Sequence, residues 1–316
     1  MTSRRDWSDR IGRRIKLRDL HILLAVAKAG SMGKAAADLA VSQPVVSKAI
    51  SDLEYALGVR LLDRSVQGVE LTIYGREVIK CGNAVFDDLR TGVKALDFLS
   101  DPSSGELRIG STEPLAAGFL GEVIGRLARK YSKASFQVIS ADPIALKERE
   151  LQQRHIELAI SPTEGMAPDP EINIEVLFDD RQVIMAGAHS KWARRRGLKL
   201  RDLEGERWFL PPLESAIGSH IAQCFRAAGL QPPRPQIESF SIPLCLRMVE
   251  RENFLAMLPI SLLIHGEHSR LRFIRAEAPH IPRPTGIVTL NNRTLGPLAQ
   301  LFIASARELA NAFGAK

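Results

Sequence analysis

The sequence contains no uninterrupted apolar run of the roughly 18–20 residues that a membrane-spanning helix requires. Its first residues, Met1–Asp6, are not followed by an apolar stretch, so no secretory signal is visible. The three cysteines, Cys81, Cys224 and Cys245, lie too far apart for a zinc motif, and an odd number does not suggest a disulfide framework. A phosphate-cradling glycine motif, a nucleophile elbow and a kinase signature are missing as well. These absences predict a cytoplasmic globular protein that is not an enzyme and needs no metal or cofactor.

Positive charge is concentrated toward the start of the chain. The 316 residues hold 43 Lys and Arg against 36 Asp and Glu, a net charge of +7. Residues 1–99 contribute +4 and residues 100–316 only +3, over more than twice the length. Residues 1–18 alone contain seven basic and two acidic side chains. The pattern indicates either a polyanion-binding part joined to a near-neutral bulk or a solubilising basic tail.

Three short helices are predicted near the start. Apolar residues recur at helical spacing from Leu17 to Ala27, and Gly30 is a plausible stop. Ser31 can cap a second helix over 33–39, and Ser42 a third over 43–57. The predicted buried stripe of the third helix comprises Val46, Ala49, Ile50, Leu53 and Leu57, and its polar face comprises Gln43, Ser47, Ser51 and Glu54. The pattern favours a helix-turn-helix that presents this polar face to base edges, with a generic three-helix core as the alternative.

A pair of short strands follows, over 59–62 and 69–71, joined by a turn at Gln67–Gly68. Such a hairpin beside a recognition helix is a wing. Residues 35–50, AAADLAVSQPVVSKAI, continue as LEYALGVRLLDR over 53–64 and as Leu71, Thr72 and Gly75. Without gaps over about residues 17–80, this segment resembles the DNA-binding motif of LysR-type transcriptional regulators. The one departure is Leu62, where the family usually has Phe.

The resemblance implies which residues contact DNA. They are Ser42, Gln43, Pro44, Ser47 and Lys48 at the start of the recognition helix, and Arg64 in the wing. Gln pairs bidentately with adenine, Ser reaches bases or phosphates, and Lys and Arg neutralise phosphates. We therefore expect Gln43 and Ser47 to read bases, and Lys48 and Arg64 to hold phosphates.

A long helix is predicted from Thr72, which can cap it, to about Leu99, because Asp101–Pro102 closes it. Apolar residues recur along it at spacings of three or four: Val78, Cys81, Val85, Leu89, Val93, Leu96 and Leu99. This seam is typical of a dimerisation helix, although a helix packed on its own domain would show it too. LysR-type proteins use such a linker helix to dimerise, and the resemblance further implies a tetramer.

Strands and helices alternate after residue 105, which predicts parallel sheets with flanking helices. This part resembles the two-lobed α/β effector domain of the LysR family, similar to type 2 periplasmic binding proteins. We place the crossings between lobes near Leu177–Val183 and Thr285–Val288. The expected division is a winged helix-turn-helix over 1–71, a linker helix over 72–100 and an effector domain over 105–316. Lobe I then takes 105–178 and 288–316, and lobe II takes 181–286.

Ligands of open α/β sheets lie beyond the carboxyl ends of strands, near helix N-termini. The residues that we expect at such places are Ser111, Thr112, Thr163, Phe209, Glu214 and Ser241. Taken singly, Ser111, Thr112, Thr163 and Ser241 fit ordinary helix caps or turns better than a ligand site, and only their joint placement at the cleft of the resembled fold supports the site. An effector carrying a carboxylate would suit the helix N-termini and Arg181, whereas a sugar would suit Glu113, Glu214 and a ring at Trp208 or Phe209. Both ligand classes stay open, with a small organic acid ahead.

The resemblance as a whole implies a transcriptional regulator that binds an inverted repeat in double-stranded DNA, responds to a small-molecule effector and contacts RNA polymerase. Several stretches look like the branch that includes the galactose-binding-protein regulator. A solute-binding protein would need only the second part, and an enzyme would need a positioned acid, base or metal. His265 and His268 flank a glycine and fit a solvated loop better than a metal site. Cys224 and Cys245 are expected to be buried, inert thiols.

Overall fold

The computed structural model describes most of the chain, as two compact units that divide after Thr91. The described residues are 14–65, 68–264, 270–274, 276–277 and 279–314. The helices are α1 (Leu17–Ala29), α2 (Met32–Asp38), α3 (Gln43–Leu57), α4 (Ile73–Ser100), α5 (Glu113–Leu115), α6 (Gly121–Lys130), α7 (Pro143–Ala145), α8 (Ala216–Ala227), α9 (Ile242–Arg251) and α10 (Pro297–Gly314). Within this described part, no helix combines the length and the apolar character needed to cross a lipid bilayer.

The strands of the first unit are β1 (Leu62–Ser65) and β2 (Gly68–Leu71). Those of the second are β3 (Ser104–Ser111), β4 (Lys133–Ser140), β5 (Leu158–Pro162), β6 (Ile172–Asp179), β7 (Gln182–Gly187), β8 (Leu198–Lys199), β9 (Trp208–Leu210), β10 (Ile237–Glu238), β11 (Leu255–Pro259), β12 (Leu271–Ile274), β13 (Ala276–Glu277) and β14 (Pro284–Leu290). Two π-helical turns, Ala116–Leu120 and Leu146–Leu151, and two 3₁₀ turns, Leu200–Leu203 and Ile260–Leu263, complete the second unit.

In the first unit, α1, α2 and α3 enclose a small apolar core. Leu23, Val26, Val46, Ile50 and Leu53 have no exposed surface and form its centre. The third helix has the predicted bounds because Pro44 starts it and Gly58, at φ 75°, ends it in the left-handed conformation. The predicted stripe is displaced at its end: Ala56 is buried, while Leu57 packs only at the edge of the core.

The first strand of the hairpin lies later in the chain than predicted, and the second begins one residue earlier, at Gly68 of the predicted turn. Residues 59–61 do not join β1, which starts at Leu62 and pairs antiparallel with β2 from Leu62 opposite Leu71 to Ser65 opposite Gly68. Gln67 of the predicted turn lies outside the described residues. The strand β2 is fixed to the α1–α2 turn, because Val69 N donates to Gly30 O at 3.1 Å.

The turn between α2 and α3 contains a left-handed residue that is not glycine, Ala40 at φ 53°. Because a side chain in this conformation costs about 1–2 kcal/mol, Ala40→Gly is expected to raise the free energy of unfolding by up to about 1 kcal/mol, after glycine's greater unfolded-state entropy is subtracted. The exposed Ala37 of α2 is the matched control, since Ala37→Gly should lower stability by about 1 kcal/mol. Thermal unfolding followed by circular dichroism measures both. Equal losses in the two variants would contradict the assignment of strain to Ala40.

The second unit contains two five-stranded sheets, in the orders β4-β3-β5-β14-β6 and β10-β9-β11-β7-β12. Both are mixed, so the prediction of parallel sheets is wrong in part. β14 runs antiparallel to β5 and β6, and β7 runs antiparallel to β11 and β12. The antiparallel strands are those next to the crossings, where the chain passes directly from one sheet to the other without a helix.

We call the first sheet with its helices lobe I and the second with its helices lobe II. The first crossing lies between β6 and β7, within the range expected for it. The second lies earlier than expected, because Thr285–Val288 belongs to lobe I: β14 already pairs with Asp179 at Pro284. The core of lobe I includes Phe119, Phe178 and Phe302, and that of lobe II on the α8 side includes Trp208 and Phe225.

Candidate nucleic-acid interface and ligand cleft

The start of α3 is an exposed polar surface above a buried stripe. Ser42, Gln43, Pro44 and Lys48 are exposed, and Ser47 is half-buried. Ser42 occupies the N-cap position of α3, as predicted, but its hydroxyl makes no capping hydrogen bond. The structure therefore brings five of the six predicted DNA contacts together on one helix end, where short polar groups face outward.

Glu54, which the sequence places on the polar face of α3, has a role within the fold. Its Oε1 accepts hydrogen bonds from Leu61 N at 2.7 Å and Leu62 N at 3.3 Å. These bonds join the last turns of the recognition helix to the start of β1. Helix and hairpin are thus held in one fixed relation.

Arg64, the sixth predicted contact, lies in β1 opposite Val69. Its side chain falls outside the described part of the structure. The segment just before this strand is tied to the start of α4, because Thr72 Oγ1 donates to Arg60 O at 2.8 Å and accepts from Gly75 N at 3.0 Å. The second of these bonds caps α4, as predicted for Thr72.

The later half of α4 carries an apolar stripe that the described residues of this chain leave exposed. Leu89, Val93, Leu96 and Leu99 are 48%, 56%, 65% and 77% exposed. Val78 and Val85, earlier in the predicted seam, are half-buried within the first unit. Large exposed apolar side chains in a row on one helix mark a surface that another protein surface covers.

In lobe I, three of the predicted ligand residues lie at or just after the ends of the neighbouring strands β3 and β5. Ser111 is fully buried at the end of β3, and its Oγ donates to Ile160 O at 3.0 Å. Thr163 follows β5, and both its N and its Oγ1 donate to Pro284 O, at 2.8 and 3.1 Å. Thr112 precedes α5, half-buried, with a hydroxyl that makes no capping bond. Among the described residues, the Thr112 hydroxyl thus has no capping bond, whereas Ser111 and Thr163 both donate to backbone oxygens.

On the lobe II side, Ser241 caps α9 by accepting a bond from Leu244 N at 3.4 Å. The same helix end receives a carboxylate from lobe I, since Glu113 Oε1 accepts from Ile242 N at 3.3 Å. The sequence analysis considered Glu113 as a group that suits a sugar, and it did not predict this contact with α9. A partial positive charge at a helix N-terminus stabilises such a carboxylate, so this bond joins the two lobes across the cleft.

Phe209 does not line the cleft. It is 3% exposed and packs in the core between β9 and α9, with Met185 and Cys245. Trp208 is fully buried on the opposite face, and its Nε1 donates to Leu203 O at 3.1 Å. Both rings point into cores because β9 is a central strand covered on its two faces, so the expectation of an aromatic sugar platform is wrong. Glu214 is exposed on the loop before α8.

The sequence missed a buried ionic group that also joins the lobes. Glu164, in the loop after β5, contacts His220 of α8, with Oε2 3.3 Å from Nδ1, and Arg283 at the second crossing, with Oε1 3.8 Å from Nε. His220 and Arg283 are 3% and 7% exposed. A histidine within the apolar pattern of α8 was the available signal, but its partner is 56 positions away and no local pattern indicates it.

Burial lowers the pKa of His220, but contacts with Cys224 and Glu164 raise it more strongly, to about 9. Since the folded pKa lies above the usual 6.5, this stabilisation is complete below about pH 6.5 and is lost as the pH rises through 9. We expect the free energy of unfolding of the second unit to fall by on the order of 1–3 kcal/mol between pH 7 and 9.5. His220→Gln should reduce this fall, whereas His155→Gln, at an exposed histidine, should leave it unchanged. Urea unfolding at both pH values measures the fall in the free energy of unfolding. An equal fall in the wild type, His220→Gln and His155→Gln would contradict the assignment.

The cysteines of lobe II are buried, as predicted, with Cys224 4% and Cys245 2% exposed, and neither forms a disulfide. Burial raises the pKa of Cys245 to about 12, so it stays a thiol. His265 and His268 lie outside the described residues.

Two family profiles match this chain. Residues 17–76 match the profile described as bacterial regulatory helix-turn-helix protein, lysR family. Residues 100–311 match the LysR substrate binding domain. Together they cover both described units.

Curated relatives match over nearly the whole chain. The HTH-type transcriptional regulator GbpR of Azospirillum brasilense is 30% identical over 303 residues, which cover 93% of this chain and 86% of GbpR. The SDS degradation transcriptional activation protein of Pseudomonas sp. (strain ATCC 19151) is 27% identical, covering 90% and 93%.

Solved structures share the fold. Full-length CbnR in complex with its target DNA superposes with a TM-score of 0.54 at 21% identity, over 94% of this chain and all of CbnR. A variant of full-length OxyR from Pseudomonas aeruginosa gives 0.64 at 19% identity, over 93% and 95%.

Proposed function

Because the chain belongs to the LysR family of transcriptional regulators, with a DNA-binding and an effector-binding domain, we propose that it reads an inverted-repeat promoter site under the control of a small organic acid. As a member of this family it is a regulator and not an enzyme. Its partners are DNA, a small-molecule effector and other copies of itself. In the proposal it acts in the cytoplasm, with the divisions at 1–71, 72–100 and 105–316 as its functional parts.

The exposed start of α3 is the observation that carries the DNA-reading proposal. Gln43 and Ser47 are short, uncharged and able both to donate and to accept, as base edges in a major groove require. Lys48 beside them supplies a positive charge for a phosphate. Ser42 and Pro44 form the rim of the same surface. Arg64 in the wing is proposed to hold a phosphate of the DNA backbone.

The exposed stripe of α4 supports dimerisation. Covering Leu89, Val93, Leu96 and Leu99 with the same stripe of a second copy removes four large apolar side chains from water, a gain of about 1.5–3 kcal/mol for each that becomes fully buried. Two winged helices joined in this way read the two halves of an inverted repeat. By the family resemblance, two dimers join through their effector domains into a tetramer that contacts RNA polymerase.

The contact between Glu113 and α9 favours an acid over a sugar as the effector. This helix end already holds one carboxylate, from Glu113, so it has the chemistry to hold a ligand's carboxylate in its place. Such a ligand would break one bond between the lobes as it binds and make new ones to Thr112 and Ser241. The affinity of the ligand for the protein then differs between two arrangements of the lobes. Such a difference is required for a ligand to control DNA binding.

Footprinting of the full-length protein on the DNA upstream of its own gene tests the proposal. We expect protection across an inverted repeat, which shortens or shifts with one member of a panel of small organic acids and not with sugars. A shift with a sugar would refute the acid assignment and keep the regulator. Absence of sequence-specific protection even at low salt would contradict the DNA-reading proposal.

A further inference from the structure

The end of α4 has two opposite faces. The residues of the apolar stripe are exposed, whereas Lys94 and Phe98 are half-buried. With about 3.6 residues per turn, Lys94 and Phe98 lie on the side of the helix opposite the stripe. Phe98 packs against Tyr131 of lobe I, with ring centroids 6.5 Å apart. This part of α4 therefore turns one face to lobe I and leaves the opposite face exposed.

Lys94 connects this helix to a buried carboxylate of lobe I. Its Nζ donates to Glu157 Oε1 at 2.8 Å and to Glu106 O at 3.2 Å. The side chain of Lys94 is 18% exposed and that of Glu157 only 7%. Glu157 directly precedes β5 and Glu106 lies in β3, so Lys94 binds at two neighbouring strands. Because a buried charge is costly to leave unpaired, this contact holds α4 in one orientation, whereas the contact between the two rings is not directional.

A second cation lies beside the same carboxylate. Arg108 Nε, on β3, is 4.0 Å from Glu157 Oε1, which is too far for a hydrogen bond. Arg108 Nη2 is buried and has no hydrogen-bond partner among the described residues. A buried donor in this state is rare and costly. Arg108 would therefore gain a partner in Glu157 if Lys94 withdrew.

We propose that Lys94 is a positioning residue that fixes the orientation of α4 on lobe I, and that Arg108 neutralises Glu157 when α4 leaves lobe I. The exchange of one cation for the other means that release of the helix leaves no buried carboxylate unpaired. An element with two such arrangements can carry a change from one part of a protein to another. Its consequence for regulation rests on the proposed dimer, in which the stripe binds a second copy and Lys94 couples that copy to lobe I.

The accessibility of a thiol at position 95 measures whether α4 lies on lobe I. Ala95 is half-buried and lies near Lys94 and Phe98 on the helix surface. In a full-length protein with Ala95→Cys and Cys81→Ser, the other thiols, Cys224 and Cys245, are buried. The measurement is the rate of labelling by a maleimide without DNA or effector, so its outcome does not depend on the proposed DNA site or ligand.

Lys94→Met is expected to raise this labelling rate at least about tenfold, because removing one partner of a buried ion pair is strongly destabilising. Lys94→Arg keeps the charge and should stay close to the reference rate. Asp97→Asn, at an exposed residue of the same helix, is the matched control and should leave the rate unchanged.

Arg108→Met distinguishes the exchange of cations from a general loosening of lobe I. It should lower the labelling rate, because release of α4 would then leave Glu157 without a cation. Loosened packing of lobe I would raise the rate instead. The proposal is overturned if Lys94→Met leaves the rate unchanged, if Lys94→Arg raises it as much as Lys94→Met, or if Arg108→Met fails to lower it.

Discussion

Replacing Gln43 with alanine is expected to lower the ratio of specific to non-specific DNA affinity by about 10- to 100-fold, since a bidentate contact to a base contributes roughly 1–3 kcal/mol of discrimination. Gln43 is exposed at the first position of α3, so the substitution removes no packing. Affinity for random DNA should change little, because phosphate contacts dominate non-specific binding. Fluorescence anisotropy with the footprinted site and with a scrambled duplex measures the ratio.

Lys48→Ala provides the comparison, at an exposed position five residues further along α3. It should weaken both duplexes alike and reduce the slope of log affinity against log salt by about 1. Arg64→Ala should behave in the same way. If Gln43→Ala also weakened both duplexes equally, the residue would hold the backbone rather than read a base.

Gly118→Ala is expected to lower the free energy of unfolding of the second unit by about 1–3 kcal/mol, the usual cost of overpacking. A Cβ at Gly118 would lie 2.1 Å from Ser261 O and 2.6 Å from Leu262 Cα. Both are backbone positions of the 3₁₀ turn after β11, so no side chain can rotate away. The π-helical turn that holds Gly118 would have to move relative to that turn.

Gly125 of α6 is the matched control. A Cβ there meets only Arg129 Nη1, at 3.5 Å, so Gly125→Ala should raise stability by up to about 1 kcal/mol through helix propensity. Urea unfolding followed by tryptophan fluorescence measures both, because Trp192 and Trp208 are buried in this unit. The ratio of specific to non-specific DNA affinity should stay unchanged in both variants. Equal stability of the two variants would show that the backbone near Gly118 can move to admit a Cβ without lowering the free energy of unfolding.

The first unit could be predicted closely because its signals are local. Pro44 and Gly58 set the ends of α3, and the apolar spacing between them set its buried stripe. The predictions that failed in this unit depended on contacts between residues distant in sequence. The spacing places Glu54 on a polar face, but its carboxylate accepts hydrogen bonds from the amides of Leu61 and Leu62. The start of β1 was likewise set by pairing with Leu71 rather than by composition.

The ligand cleft was predicted less well, because its joining contacts connect residues 56 to 129 positions apart. Ser111 and Thr112 could be placed at a strand end, yet the bond between Glu113 and Ile242 depends on how two lobes meet. Phe209 was misplaced for a different reason. A short strand of three apolar residues does not reveal that both its faces are covered.

A Cβ at Gly75 would lie 2.1 Å from Leu61 O, so the first turn of α4 is pressed against the chain that leads into the wing. Together with the hydrogen bonds of Thr72, this contact fixes the segment that leads into the wing against the first turn of α4. A change in the direction of the first turn of α4 would therefore move the chain that leads into the wing with it.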